Sequence, residues 1–306
     1  MADTSRHLQT DLGLLLLAVI WGINFSVMKV VLDELSPLAL NALRFPLAAA
    51  ALWVVVAGRP GPRLPTTGDT ARVVTLGLLG HVAYQLCFIF GLDWTLAGNA
   101  SLLLSTTPVW TVIMSAAVGH EHPNTRVSVG VSATIVGMTL VVVGRGDAVT
   151  LGSETLWGDL LIVVASILWS LYTVGGRNPI GRYGPLRMTA WTVWVGTPIV
   201  VALGLPSLAA TDLTSISVTA WLGVAYAGFL SLGLAYLLWY RGVQKLGNNR
   251  TAVYSNLVPV AALITAWLWL DEVPTALQLL GAAVILTGLT VARRGPASAP
   301  AVTRRA

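Results

Sequence analysis

The chain has 306 residues, of which 18 are Lys or Arg and 13 are Asp or Glu, so charged residues make up 10% of it where a soluble domain carries roughly 25%. That fraction cannot cover a water-facing surface. With 55% hydrophobic residues and a mean hydropathy of +0.76 set out in long continuous apolar runs, the sequence describes a polytopic α-helical membrane protein and excludes the strict alternation of an outer-membrane barrel. The net charge of +5 reflects asymmetric loops rather than nucleic-acid binding, and the single Cys87 rules out an internal disulfide and a Cys-rich zinc site.

A hydrocarbon core of about 30 Å takes about 20 apolar helical residues. Runs of that length predict ten spans, at 12–32, 37–57, 72–92, 98–118, 127–144, 157–175, 187–205, 218–240, 251–270 and 275–292. The first resembles a signal peptide over Leu14 to Ile20 but continues through Trp21 and Phe25 without a small-residue cleavage site, so it is read as helix 1. It carries Asn24 one turn after Trp21, and Lys29 one turn before Asp33, placed to snorkel or to pair with that carboxylate. Helix 2 holds Arg44 about two turns in, too deep for an ordinary loop charge. Two roles fit it: neutralising a substrate carboxylate, or binding helix-end carbonyls in an outer gate. Helix 3 places His81 near mid-membrane with Tyr84 and Gln85 on the same face at i+3 and i+4, the best polar stripe in the chain. A packing role and a cavity-lining or protonatable role both fit that histidine.

Helices 4 and 9 contain Pro108 and Pro259, each removing a backbone hydrogen bond and able to kink its helix into a hinge. Ser105, Thr106, Trp110, Ser255 and Asn256 surround them. Helices 5 and 10 repeat glycine every seven residues, at Gly130 and Gly137 and at Gly281 and Gly288, which suits close helix contact. Helix 6 matches helix 1 with Trp169, Tyr172 and Thr173. Trp53, Trp94, Trp157, Trp267 and Trp269 sit near helix ends as interfacial belt residues, whereas Trp21, Trp110, Trp169 and Trp191 lie nearer mid-span, where an indole offers a stacking surface. Residues 295–306 read as a disordered tail.

Alternate loops divide the basic residues unevenly. With the N-terminus cytoplasmic, fifteen Lys and Arg fall inside and only Arg145 outside, while Asp33, Glu34, Asp93, Asp147, Glu154, Asp212, Asp271 and Glu272 fall outside. The halves also repeat. Asp11, Trp21 and Pro37 pair with Asp159, Trp169 and Pro185 at an offset of 148, and Pro108, Glu121, Gly130 and Gly137 pair with Pro259, Glu272, Gly281 and Gly288 at 151. Five helices per copy is odd, so the second copy enters from the opposite side. That is the inverted architecture of alternating-access carriers, with the site near the midplane where the repeats meet.

These residues carry a resemblance. Ala18 to Phe25 (AVIWGINF), Leu43-Arg44-Phe45, the Pro108 and Pro259 helices ending at Glu121 and Glu272, and the glycine-spaced helices after them resemble the EamA-type drug/metabolite transporters, from about residue 11 to 293 in two copies. The second copy departs from the first, with Leu168-Trp-Ser-Leu-Tyr172 in place of Trp-Gly-Ile-Asn-Phe and Thr192 opposite Arg44. The resemblance implies a ten-helix secondary carrier of the bacterial inner membrane with a central cavity between the repeats, commonly exporting amino acids or related metabolites.

The expected organisation is a cytoplasmic N-terminus (1–11), a first five-helix repeat (12–146), a periplasmic linker (147–156), a second repeat (157–293) and a cytoplasmic tail (294–306). The expected function is transport of a small polar or amphipathic metabolite, foremost amino acids with an aromatic or large neutral bias; a nucleobase, vitamin or sugar-derivative carrier is the alternative. Substrate contacts are expected from His81, Tyr84, Gln85, Trp169, Tyr172, Asn24, Asn256 and Trp110, and gating from Arg44, Pro108 and Pro259. No carboxylate lies well inside a span and there is no Walker motif, so uncoupled or exchange-like transport, or coupling through His81 or an end carboxylate, is expected instead of ATP hydrolysis. Neither a cofactor nor a metal is expected, His120-Glu-His122 being read as an ordinary polar loop, and the expected state is a monomer or homodimer in membrane lipid. An integral-membrane enzyme or a scaffold is the rival class.

Overall fold

The computed structural model describes residues 2–117, 125–144, 153–239, 241–242, 254 and 257–293, and every regular element among them is helical. In chain order they are α1 (Ala2–Leu32), α2 (Pro37–Ala57), α3 (Thr67–Leu78), which runs through a π-helical turn at Leu79–Ala83 into α4 (Tyr84–Trp94), α5 (Ala97–Leu104), α6 (Thr107–Ala117), α7 (Thr125–Val143), α8 (Glu154–Tyr183), α9 (Pro185–Ala209), α10 (Val218–Ala225), continued by a second π-helical stretch at Tyr226–Leu234, α11 (Val258–Leu270) and α12 (Ala276–Arg293). Six of the helical rods are long and apolar enough to cross a membrane: Gln9–Leu32, Pro37–Ala57, Thr67–Trp94, Glu154–Gly176, Pro185–Ala209 and Val218–Trp239. Ser128–Val141, Val258–Leu270 and Ala276–Gly288 are shorter apolar helices. The molecule is a multi-pass helical membrane protein.

The ends of these rods follow from local sequence. Ser36 caps α2, with Pro37 supplying the fixed φ of a first helical turn, and Ser153 and Ser217 cap α8 and α10 by accepting from the amides of Leu156 and Ala220. Gly184, at φ 79, ends α8, and Pro185 begins α9 at once. Glu34 ties the α1–α2 turn to the start of α10, accepting from the Ser217 amide at 2.7 Å and its hydroxyl at 2.5 Å. Those two donors, the hydroxyl first, hold the carboxyl below the usual carboxylate range.

Three predicted spans differ in detail. The fourth is broken at Ser105–Thr106, between α5 and α6. Pro108 disfavours helical geometry in the residue before it and has no amide to give the Leu104 carbonyl. The hydroxyls of Ser105, Thr106 and Thr107 turn back to the carbonyls of Leu102, Leu103 and Leu104 at 2.6–2.7 Å, so the break leaves these acceptors satisfied inside the membrane. The third and eighth spans are helical but contain the two π segments. Of the ninth, the described helix begins after Leu257, and residues 251–253 and 255–256 lie outside the described residues.

Packing pairs α2 with α9 and α7 with α12, sets α1 against α11, and sets α8 against α4, α5 and α6. The expected glycine contact is present. A Cβ on Gly137 would stand 2.8 Å from the Gly281 carbonyl, one on Gly281 2.8 Å from the Gly137 carbonyl, and one on Gly288 2.7 Å from the Gly130 carbonyl. The largest apolar cluster joins α1, α2, α4, α5, α8 and α11 around Met28, Leu40, Phe88 and Leu103.

Candidate functional site

The i, i+3, i+4 stripe of the third span forms one wall of a buried polar and aromatic cluster at the first π turn. His81 is buried, with Nε2 3.0 Å from Thr192 Oγ1 on α9, and Tyr172 of α8 places its hydroxyl 3.1 Å from the same oxygen. The Thr192 hydroxyl gives its proton to the carbonyls of Met188 and Thr189, both at 3.0 Å, so its oxygen accepts from Tyr172 and from His81. In a neutral imidazole this places the proton on Nε2 and leaves Nδ1 as an acceptor. Nδ1 is buried with no hydrogen-bond partner among the described residues. Trp169 covers the group, its ring centroid 4.9 Å from Tyr84, 5.1 Å from Tyr172 and 6.4 Å from both His81 and Tyr236. The third, sixth and eighth spans thereby meet at one aromatic surface, and the seventh adds the Thr192 hydroxyl. A π segment adds a residue per turn and re-aims the side chains it carries, and here it seats His81 against Gly196, where a Cβ would come within 2.7 Å of the histidine.

The stripe's other member, Gln85, leads to Arg44. That guanidinium is buried, and its described partners are all neutral: Nε donates to Asn41 Oδ1 at 2.8 Å, Nη2 to Gln85 Oε1 at 2.6 Å and Nη1 to Met28 Sδ at 3.1 Å. Asn24 Nδ2 donates to the same sulfur at 3.1 Å. Asn24 and Arg44 therefore share a neighbour. Asn24 Oδ1 and Asn41 Nδ2 are left buried without a partner among the described residues.

His81, Tyr84, Gln85, Trp169, Tyr172, Asn24 and Arg44 are thus joined in one contiguous set. Trp110 stands apart, donating from Nε1 to Thr106 Oγ1 at 3.2 Å beside the break in the fourth span. Pro108 and Pro259 both fall in the first turn of a helix, α6 and α11, where a proline starts a helix instead of kinking its middle. Asn256, Ser255 and His120-Glu121-His122 lie outside the described residues. Of the two readings of Lys29, snorkelling or pairing with Asp33, neither named its hydrogen-bond partners: Nζ donates to the carbonyls of Leu92 at 3.0 Å and Asp93 at 2.6 Å, because the end of α4 offers unpaired carbonyls within reach. One sequence expectation is corrected. Trp191 is no open stacking surface, being buried with Nε1 donating to the Arg63 carbonyl at 3.1 Å.

Sequence reasoning missed Asn41, Met28 and Tyr236 and took Thr192 only as the counterpart of Arg44. Asn41 had a readable signal, three residues before Arg44 on one helix. Thr192 and Tyr236 had none, since their place is set by how α9 and the eighth span pack.

The EamA-like transporter family matches the chain twice, over residues 8–143 and 156–294. The chain is 30% identical over 288 residues to an uncharacterized transporter of Archaeoglobus fulgidus, covering 94% of this chain and 98% of that one. It is 29% identical over 294 residues to a Streptantibioticus cattleyicolor protein named "Probable terminal-alkyne amino-acid exporter", covering 94% and 96%. It is also 29% identical over 285 residues to an Escherichia coli protein named "Probable amino-acid metabolite efflux pump", covering 90% and 92%. A solved crystal structure superimposes with a TM-score of 0.66 at 20% identity, covering 91% of this chain and 94% of the other, which shows a shared fold.

Proposed function

The chain belongs to the EamA-like transporter family, and from that premise we propose that it is a secondary exporter of amino acids with an aromatic or large neutral side chain. In this proposal it works by alternating access in the bacterial inner membrane as two inverted five-helix repeats with both termini cytoplasmic. The observation that carries the substrate reading is the surface formed by Tyr84, Trp169, Tyr172 and Tyr236 around His81. Its rings come from both family-matched halves and flank a buried acceptor. Aromatic faces bind apolar and flat groups over a large area with little loss of rotamer freedom, and the polar atoms beside them fix orientation. The names of two relatives, an amino-acid exporter and an amino-acid metabolite efflux pump, agree with this class.

The architecture has its own support. The second and seventh spans pack on each other as α2 and α9, and the fifth and tenth as α7 and α12, as a two-fold axis in the membrane plane requires of self-paired elements. Asp11 accepts from the Tyr254 hydroxyl at 2.8 Å while its repeat mate Asp159 accepts from the Thr95 hydroxyl at 2.5 Å, so related carboxylates hold related helix neighbours.

Counterflow in proteoliposomes tests the reading. Protein preloaded with unlabelled phenylalanine, tryptophan, threonine or a nucleobase is challenged with the labelled solute. Saturable exchange of the aromatic amino acids, abolished in Trp169→Ala with the fold intact, is expected. Exchange of the nucleobase alone, or wild-type kinetics in Trp169→Ala, overturns it.

A further inference from the structure

The polar atoms left over around Arg44 form a matched set. A buried guanidinium is costly in a membrane, on the order of 2.5–3.5 kcal/mol even on insertion scales, and buried polar groups without partners are uncommon in native structures and call for an explanation. Here both occur together, between the first three spans. Arg44 has five N–H donors, three of them placed on Asn41, Gln85 and the weakly accepting Met28 sulfur. Asn41 must point its oxygen at the Arg44 Nε–H, which fixes the carboxamide and leaves Nδ2 as a donor with no partner among the described residues. On the other side of Met28, Asn24 leaves Oδ1 as an acceptor with no partner among the described residues.

We propose that Arg44, Asn41 and Asn24 form the head-group site for a zwitterionic α-amino acid, with the substrate carboxylate on Arg44 and Asn41 Nδ2 and its ammonium on Asn24 Oδ1. The inference rests on the carrier reading above and names the part of the substrate that reading leaves open. A carboxylate is acceptor-only and presents two oxygens, which suits a cation flanked by a spare amide donor. An ammonium is donor-only, which suits a carboxamide oxygen. The Met28 sulfur, 3.1 Å from both Arg44 Nη1 and Asn24 Nδ2, spaces the two poles. Gln85 links this pole pair to the stripe whose other members, His81 and Tyr84, face Trp169. The first half of the chain thus supplies the head-group chemistry, and rings of the second half, Trp169, Tyr172 and Tyr236, supply most of the wall for the side chain. Arg44 becomes a specificity-determining residue, in place of the outer-gate role that the family resemblance implied.

The test is competition against labelled phenylalanine in counterflow, using phenylalaninamide, which lacks the carboxylate, and 3-phenylpropionate, which lacks the ammonium. Both are expected to compete at least about tenfold less well than phenylalanine, since each leaves a buried polar group unpaired. Asn41→Asp puts a carboxylate beside Arg44 in place of the substrate's. It is expected to weaken phenylalanine at least about tenfold and to reverse its preference over phenylalaninamide. Asn24→Leu is expected to remove the discrimination against 3-phenylpropionate. A merely structural network would lower all three ligands together and leave their ratios unchanged, and thermal melting in detergent shows that each variant folds. Equal competition by phenylalaninamide in the wild-type protein overturns the head-group site while phenylalanine exchange keeps the carrier standing. Absence of exchange with phenylalanine, tryptophan and threonine in folded protein overturns both.

Discussion

At the scale of single residues, the site depends on one hydroxyl that the sequence did not single out. Thr192 Oγ1 accepts from His81 and Tyr172 while its own proton is held by its helix. Thr192→Val keeps the side-chain shape and strands the His81 Nε2 donor in a buried place, while the Tyr172 hydroxyl keeps Thr189. A loss of about 1–3 kcal/mol in stability is expected from such a change, together with reduced transport as the His81 ring loses its anchor. Thr192→Ser should retain both. Melting temperatures with counterflow rates check this, and a Thr192→Val protein that transports like the wild type would remove the hydroxyl from the site. His81, Tyr84 and Gln85 were legible because helical periodicity alone puts polar groups on one face of an apolar span, and Trp169 because it repeats Trp21 at an offset of 148. Thr192 and Tyr236 were not, because their role exists only once α9 and the eighth span are docked. Lys29 shows the reverse limit: its sequence neighbour Asp33 was a reasonable partner, but two carbonyls at the end of α4 were nearer.

At the scale of elements, the sequence told most where the backbone itself makes the contact. The seven-residue glycine spacing marked α7 and α12 as a close pair, and carbonyls 2.7–2.8 Å from the positions that Cβ atoms would take show why no larger residue fits. Gly281→Ala forces the two backbones apart and is expected to cost about 1–3 kcal/mol, read as a lower melting temperature. Gly68→Ala, with nothing within 4 Å, serves as the control that should not move it. The broken fourth span was half legible, since Pro108 marks the place but the Ser105, Thr106 and Thr107 back-bonds decide that a break is tolerated there. The π segments at Leu79–Ala83 and Tyr226–Leu234 were invisible. Both runs are largely apolar like their flanks, and no residue preference marks the shift to an i→i+5 bond. Their occurrence in the third span of each half puts the irregularity at related places.

At the scale of the whole molecule, alternating access as proposed requires ties at one end of the bundle that break when the other end closes. One end shows such a set. Asp271 ends α11 in a left-handed conformation, φ 55, that a short polar side chain tolerates. The turn directs Glu272 across to the start of α5, where its carboxylate accepts from the amides of Ala97 at 3.0 Å and Gly98 at 3.1 Å. Lys29 on the carbonyls ending α4 and Asp159 on Thr95 bind the same turn, so two helices and the turn after α11, from both halves, hold the segment between α4 and α5. A carboxylate on two helix N-terminal amides contributes up to about 2 kcal/mol, and each 1.4 kcal/mol is about tenfold in an equilibrium. Glu272→Gln keeps the size but gives up the charge, and should shift the population toward the state in which this end is open by several-fold. The readout is a single cysteine at buried Ala97 in a Cys87→Ala background, labelled with a membrane-impermeant maleimide. Labelling that rises several-fold in Glu272→Gln, and falls back when phenylalanine or tryptophan draws the protein to a closed state, marks the tie as a gate. Labelling unchanged by the substitution makes Glu272 a helix cap that the transport cycle does not use.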